Sequence, residues 1–378
     1  MADVVRECGA EFVARYRPSD EQRWVLRAIE RCRTTALGGH RRECEACGHQ
    51  HIAYNSCSNR HCPKCQGKER REWVEAEVGR LLPVDYFHVV FPLPHDLNPI
   101  IRVNRRLLYG LLFKAASATL RQFARTKLKV DDLAITAVLH TWGQTLIEHV
   151  HLHCLVSAGG LSRDGKSFRR VPKRRRPFLF PVKALSRSFR RRFLAALRRL
   201  HRRGKLCFTG ESAYLTQPAC WETLLEKLQW QDWVVYAKPP FGSPAQVLKY
   251  LGRYTHRIAI SNRRLLFVGN GVVRFRYFDY ADGKRVKDMA LPAGEFLRRF
   301  LLHVLPTGFM RIRHYGLLAN ANRDKLARCR ELLGIPVVNQ PDAHTTSSGS
   351  ADSADRCPLC GGRLRVVEIL HPEPHDTS

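Results

Sequence analysis

The most pointed chemistry in this sequence lies in His149-Val150-His151-Leu152-His153-Cys154, where histidine recurs at every second position. In an extended strand alternate side chains share a face, so His151 and His153 can grip one cation from the same side while Leu152 is buried behind them. Further along, Tyr250 and Tyr254 stand one helical turn apart, about 6 Å along a helix axis. A histidine-held cation with a tyrosine hydroxyl suggests phosphoryl transfer. Each pattern also has a plainer reading, as a polar sheet face or as core packing. Lys249, Arg253, His256 and Arg257 crowd the tyrosines with cations, which an apolar core would not tolerate unpaired and which favours a phosphate-facing helix.

Cysteine supplies further candidate ligands. Of thirteen cysteines, six fall in three Cys-x-x-Cys pairs, a pattern that in a reducing compartment argues for thiolate-bound zinc rather than disulfides. Cys44 and Cys47 are separated by fourteen residues from Cys62 and Cys65, close to the double-knuckle spacing of a closed tetrahedral zinc site. Cys32, His40, Cys57 and His61 remain, either as a second four-ligand site or as solvated side chains of a basic segment. Cys357 and Cys360, with His371 and His375 downstream, have the spacing of a small zinc knuckle; the alternative is an end kept disordered by Pro372 and Pro374.

The elements that must position these residues point to an α+β fold. Glu21 to Arg33 reads as a helix, with Val25, Leu26 and Ile29 at helical spacing. Residues 84–91 are β-rich and closed by prolines, residues 100–127 and 185–203 carry helical patterns, and 134–142 pairs with the histidine strand as a hairpin. With Trp233 to Lys238 as a last strand, the order is strand-helix-strand-strand-helix-strand, the ferredoxin-like or split βαβ arrangement, with the histidine strand inside the sheet. A turn near residue 146 or 147 sets His140 about opposite His153, making it the first candidate for a third metal ligand; His149 and Gln144 are the alternatives. Residues 265–268 and 272–277 flank Gly269-Asn270-Gly271 as a hairpin, and 291–305 reads as an amphipathic helix. The expected organisation is a zinc-binding segment over 1–75, a main domain over 80–335, a flexible linker over 336–356 and the knuckle over 357–378.

Charge narrows the partner. With 64 Lys+Arg against 34 Asp+Glu, the formal net charge is +30, which calls for a polyanion, and nucleic acid is the expected one. Arg190, Arg191 and Arg192 belong to a one-sign row on the 185–203 helix that reads as a phosphate track, and Arg60, Lys64, Lys238, Arg253 and Arg257 are further candidate DNA contacts. No apolar run of eighteen residues and no secretory start is present, so a cytoplasmic protein with no membrane association is expected.

Several stretches resemble one family. Tyr54 to Gln66, His149 to Cys154, Trp233 to Phe241, Tyr250 to Asn262 and Arg311 to Asn320 are similar, in order, to those of the insertion sequence ninety-one family, rolling-circle transposases of the HUH endonuclease superfamily. The resemblance implies a single-strand DNA endonuclease and strand transferase that uses one divalent cation, Mg2+ or Mn2+, and needs no nucleotide cofactor. By position His151 and His153 match the metal pair, and Tyr250 and Tyr254 the two nucleophiles. Competing readings are a plasmid replication initiator or relaxase with the same chemistry, and a non-catalytic zinc-dependent DNA-binding regulator in which the histidines are structural.

Overall fold

The computed structural model describes residues 1–65, 67–171, 179–239, 246, 252, 259–335 and 356–373. The chain forms two units, each discontinuous in sequence: Met1–Glu69, Ile260–Arg298 and Val338–Ser378 make one, Arg70–Ala259 and Arg299–Val337 the other.

The first unit starts with α1 (Ala2–Tyr16), a helix the sequence pattern did not announce, and α2 (Asp20–Arg31). A capping box starts α2: the Ser19 hydroxyl accepts from the Gln22 N–H at 3.3 Å and the Gln22 side chain accepts from the Ser19 N–H at 3.0 Å. Val25, Leu26 and Ile29 form its buried face, as their spacing predicts. A hairpin of β1 (Gly39–Cys44) and β2 (Gln50–Tyr54) follows.

The second unit takes up α3 (Gly67–Arg80), β3 (Tyr86–Pro92), α4 (Asn98–Val103) and α5 (Arg105–Phe123). The single helix expected over 100–127 is broken at Asn104. Its side-chain amide donates to the Ile100 and Cys207 carbonyls at 3.0 and 2.8 Å and accepts from the Cys207 N–H at 2.9 Å, so tertiary bonds anchor the break. Then come β4 (Val130–Trp142) and β5 (Glu148–Ser162), the short β6 (Phe168–Arg170), α6 (Val182–Arg202), α7 (Pro218–Trp230) and β7 (Tyr236–Lys238).

The chain then returns to the first unit as an antiparallel sheet of β8 (Leu265–Gly269), β9 (Val272–Asp279) and β10 (Arg285–Pro292). The first two strands are the expected hairpin. The helix expected over 291–305 is α8 (Ala293–Leu302), which sets the Phe296 ring 5.6 Å from Phe275. The second unit closes with β11 (Ile312–Gly316) and α9 (Arg323–Leu332). Finally β12 (Leu364–Leu370) pairs with β1, so the segment expected to be a separate knuckle is the edge strand of the amino-terminal sheet.

The fold is mixed α/β, and the three sheets among the described residues are antiparallel. In the main sheet the strands lie in the order β11-β4-β5-β3-β7, with β6 on β5. The histidine strand therefore sits inside the sheet, while β11 is an edge strand that no sequence pattern marked. On one face Phe87, Val89, Ile135, Leu139, Leu152 and Val156 pack with Phe113 of α5 and with Phe189 and Phe193 of α6. On the opposite face a smaller core of Leu82, Tyr86, Ala134, Leu155, Leu317 and Cys329 covers one half of the sheet. The other half carries the histidines.

Candidate active site and cysteine clusters

Strand parity builds the histidine site. Val150, Leu152 and Cys154 of β5 enter the main core, which turns His149, His151 and His153 to the opposite face. The β4–β5 register places His140 opposite His151 and Val138 opposite His153, two residues from the expected alignment. The connection is the reason: Gly143 and Ile147 close a turn through an N–H to carbonyl bond of 2.9 Å, and an irregularity follows between His140 and Trp142. A two-residue shift preserves the face. His140 therefore still joins His151 and His153, with one nitrogen from each ring lying within 4.8 Å of the others. His149 lies outside that trio, its ring 5.3 Å from His95.

Two hydrogen bonds orient these rings. The His151 Nδ1 donates to the His149 carbonyl at 2.7 Å, which leaves Nε2 with the lone pair. The His153 Nδ1 lies 2.7 Å from the Nε2 of His88 on β3. His140 stacks on Trp142 with centroids 4.8 Å apart. Burial, followed by the neighbouring His149, pushes His151 down to about 3. Burial and the His140 and His151 rings hold His153 well below the ordinary histidine range. Burial and Lys238 bring His88 to about 4. At neutral pH the His88, His151 and His153 rings are uncharged, the state in which imidazole binds a cation. The start of β5 is fixed by Glu148, which accepts from Arg102 at 2.7 Å while its carbonyl accepts from the Asn98 amide at 3.3 Å.

The β3–β7 register carries the same face to the sheet edge. Tyr236 lies opposite Val90, itself opposite His153, and Lys238 lies opposite His88. Tyr236 is 57% exposed and Lys238 is exposed, so an aromatic ring and a cation border the histidines. Tyr250, Tyr254, Arg253 and Arg257 lie outside the described residues. The arginine row is on the other side of the sheet. Arg187, Arg191 and Arg198 line an open cavity of about 660 Å³ beside Gln122 and Gln229. Arg190 and Arg192 are engaged within the fold, donating to the Gln231 carbonyl at 2.8 Å and to the Gln122 side chain at 2.7 Å.

The cysteines group differently from the expectation. Cys32, Cys57, Cys62 and Cys65 gather in one cluster, and Cys44, Cys47, Cys357 and Cys360 in another. The two amino-terminal Cys-x-x-Cys pairs thus do not share a site. A bond from the Arg33 N–H to the Asn55 carbonyl, 3.1 Å, draws the end of α2 beside the Cys57 loop. The sulfurs of Cys32 and Cys57 then lie 3.3 and 3.5 Å from that of Cys65. Thiol hydrogen bonds, first from Cys32, drive Cys65 far down, and the Cys32 contact drives Cys57 up, as expected where four sulfurs cannot all ionise without a cation. Histidine is excluded because thiols fill all four places. His61 is buried and held by Asn59, its Nδ1 3.1 Å from Oδ1. His40 lies on β1 and His371 is exposed, both outside the clusters; His375 falls outside the described residues. Lys64 reaches the Cys32 carbonyl at 3.4 Å, which ties it to this cluster's surroundings, and burial lowers the pKa of the Arg60 guanidinium.

Known proteins share this chain's sequence over most of its length. Residues 134–325 match a family model described as "Putative transposase", and residues 4–93 match one described as "Transposase zinc-binding domain". The Sinorhizobium fredii protein named "Putative transposase y4qJ" is 46% identical over 394 residues, spanning 100% of this chain and 98% of its own length. The transposase for insertion sequence element IS801 of Pseudomonas savastanoi pv. phaseolicola is 30% identical over 346 residues, 88% of this chain and 80% of its own. No solved structure matches. Among the described residues, no helix is long and apolar enough to cross a membrane.

Proposed function

The chain belongs to the insertion sequence ninety-one family of transposases, and from that premise we propose that it is an HUH-type single-strand DNA endonuclease and strand transferase that moves its element by a rolling-circle route. The observation that carries this reading is the trio His140, His151 and His153, three buried or half-buried imidazoles at the open half of a sheet face. The strand order β4-β5-β3-β7, reached through two crossover helical segments, is that of a split βαβ sheet and supports an HUH palm.

His151 and His153, with His140 as third ligand, would hold Mn2+ or Mg2+. Three nitrogen donors suit manganese better than magnesium, which prefers oxygen. A cation held by these three residues would supply polarisation of the scissile phosphate and would offset the charge gathering in its transition state. Tyr250 and Tyr254 are the nucleophiles. One hydroxyl gives up its proton and attacks phosphorus, a 5′-phosphotyrosine bond forms, and the bond to the departing 3′-oxygen breaks, leaving a 3′-hydroxyl. The link retains the phosphodiester, so the 3′-hydroxyl of another strand reverses the step without a nucleotide cofactor. Tyr236 and Lys238 on the same face offer a stacking surface and a phosphate contact for the strand. Zinc bound by cysteine thiolates stabilises the amino-terminal unit.

The test is incubation of the protein with labelled single-stranded DNA from the ends of its own element, with Mn2+ or Mg2+ and then with EDTA, followed by a denaturing gel. A metal-dependent covalent adduct mapped by peptide mass to Tyr250 or Tyr254 is expected, lost in the Tyr250→Phe, Tyr254→Phe double variant while DNA binding persists. Binding with no adduct across several cations and end sequences would leave the non-catalytic regulator as the better reading.

A further inference from the structure

We infer that Cys44, Cys47, Cys357 and Cys360 hold a second zinc ion, and that this ion fastens the carboxyl-terminal strand to the amino-terminal sheet. The inference does not rest on the nuclease reading. The matching zinc-binding family model stops at residue 93 and so contains only half of this site.

The sulfurs are placed for a metal. Those of Cys44 and Cys360 are 3.4 Å apart, Cys47 and Cys357 3.7 Å, and Cys47 and Cys360 3.3 Å. A tetrahedron with zinc–sulfur bonds near 2.3 Å has edges of roughly 3.8 Å.

The two halves of the site are built alike. Gly48 and Gly361 each follow the second cysteine of a pair, with φ of +69° and +73°. Each donates its N–H to the carbonyl of the first cysteine, at 3.0 Å for Gly48 to Cys44 and 2.9 Å for Gly361 to Cys357. Each pair is therefore a closed turn that directs two sulfurs the same way. Where the turns meet there is no spare room: a Cβ on Gly362 would lie 2.9 Å from the Ala46 Cβ and 3.0 Å from the Cys44 sulfur. The Gly362 N–H also points at the Cys360 sulfur, 3.4 Å away, and fixes the direction of that side chain.

The strand itself explains why a metal is needed. β12 runs along β1 from Gly39 opposite Leu370 to Cys44 opposite Leu364, with one close cross-strand ion pair, Arg41 to Glu368 at 2.7 Å. Yet Val366 and Ile369 are 52% and 63% exposed, and of the β12 side chains only Leu364 is buried, against Cys44 and Cys357. An edge strand with so little apolar burial and an exposed ion pair gains little from pairing alone. Zinc coordination supplies the missing free energy, and it does so between residues 310 positions apart, Cys47 and Cys357.

The experiment uses the full chain carrying an engineered protease site between residues 340 and 355. Two zinc ions per chain are expected by elemental analysis. After cleavage the carboxyl-terminal fragment should stay with the body on size exclusion, and it should leave when zinc is stripped with a mercurial reagent and chelator. This arm needs no ligand variant. The Cys44→Ser, Cys47→Ser variant should carry one zinc ion and release the fragment, and the Cys357→Ser, Cys360→Ser variant should likewise carry one. Three results would overturn the inference: one zinc ion in the unmodified chain, release of the fragment with both ions bound, or loss of one ion from the His371→Ala, His375→Ala variant. The last would return the tail to a knuckle of its own.

Discussion

His88 offers the sharpest test of how the histidine site is organised. For His153 to present Nε2 to a cation, its proton must sit on Nδ1, and that nitrogen is 2.7 Å from the His88 Nε2. His88 must then be the acceptor. It can be, because burial brings its pKa to about 4 and keeps it neutral at working pH. Replacing His88 with Leu removes the acceptor and allows the His153 ring to adopt the other tautomer. When His153 binds a cation, its Nδ1–H becomes a stronger donor, and such a charge-assisted bond contributes about 1.5–3 kcal/mol. At about 1.4 kcal/mol per decade this is a ten- to hundredfold loss of metal affinity, the range found for outer ligand partners generally. Cleavage measured as a function of Mn2+ concentration should shift its midpoint by that factor and regain most of its rate at saturating metal. His88→Gln, which restores an acceptor, should recover much of the shift. An unchanged Mn2+ midpoint in His88→Leu, or a rate reduced equally at every Mn2+ concentration, would refute the assignment of His88 as a positioning residue.

Other perturbations separate the remaining parts. Tyr236→Ala should weaken single-stranded DNA binding by about 1–3 kcal/mol if a base stacks there, while Tyr236→Trp retains it; fluorescence anisotropy at fixed salt decides. Replacing Arg187, Arg191 and Arg198 together with Gln should lower affinity for all sequences alike and reduce the slope of log K against log salt by about 1 for each phosphate no longer neutralised. It should not alter the Mn2+ midpoint, because the sheet separates that cavity from the histidines. A chelator should remove zinc in two phases, the fast one from the cluster in which Cys47 and Cys360 are exposed, the slow one from the cluster in which Cys32, Cys62 and Cys65 are buried. Departure of both ions in a single phase would contradict the difference in exposure. Tandem mass spectrometry after cysteine labelling assigns each phase.

The histidine site was largely legible in the sequence because its information is local. A period of two fixes the shared face of His151 and His153, and any even shift of the hairpin returns His140 to it. The two-residue error in register therefore cost nothing. His88 went unnoticed although a signal existed: it is the one imidazole in an apolar and aromatic β run, Tyr86 to Phe91, and a buried polar side chain on a strand requires a partner. Tyr236 carried no such mark. Its place beside the histidines comes from sitting opposite Val90 at the edge of the sheet, and edge position is a property of strand order rather than of any short stretch.

The cysteines show where local reasoning stops. Spacing states that a Cys-x-x-Cys pair supplies half of a tetrahedral site, and it is silent on which other half it meets. Joining the two pairs that lie nearest in sequence minimises the loop to be closed, but loop entropy grows only logarithmically with length, so a partner 310 positions away is handicapped by little. Local chain direction then decides. Cys44 ends β1 beside the strand that brings in Cys357 and Cys360, while the close of α2 delivers Cys32 to the loop of Cys57, Cys62 and Cys65. Once thiols complete both sets, histidines are not needed, and the glycine after each knuckle is the better sequence sign: Cys47-Gly48 and Cys360-Gly361 share it, whereas Cys65 is followed by Gln66. That difference separates the two matched half-sites from the third pair, and it could have been read from the sequence.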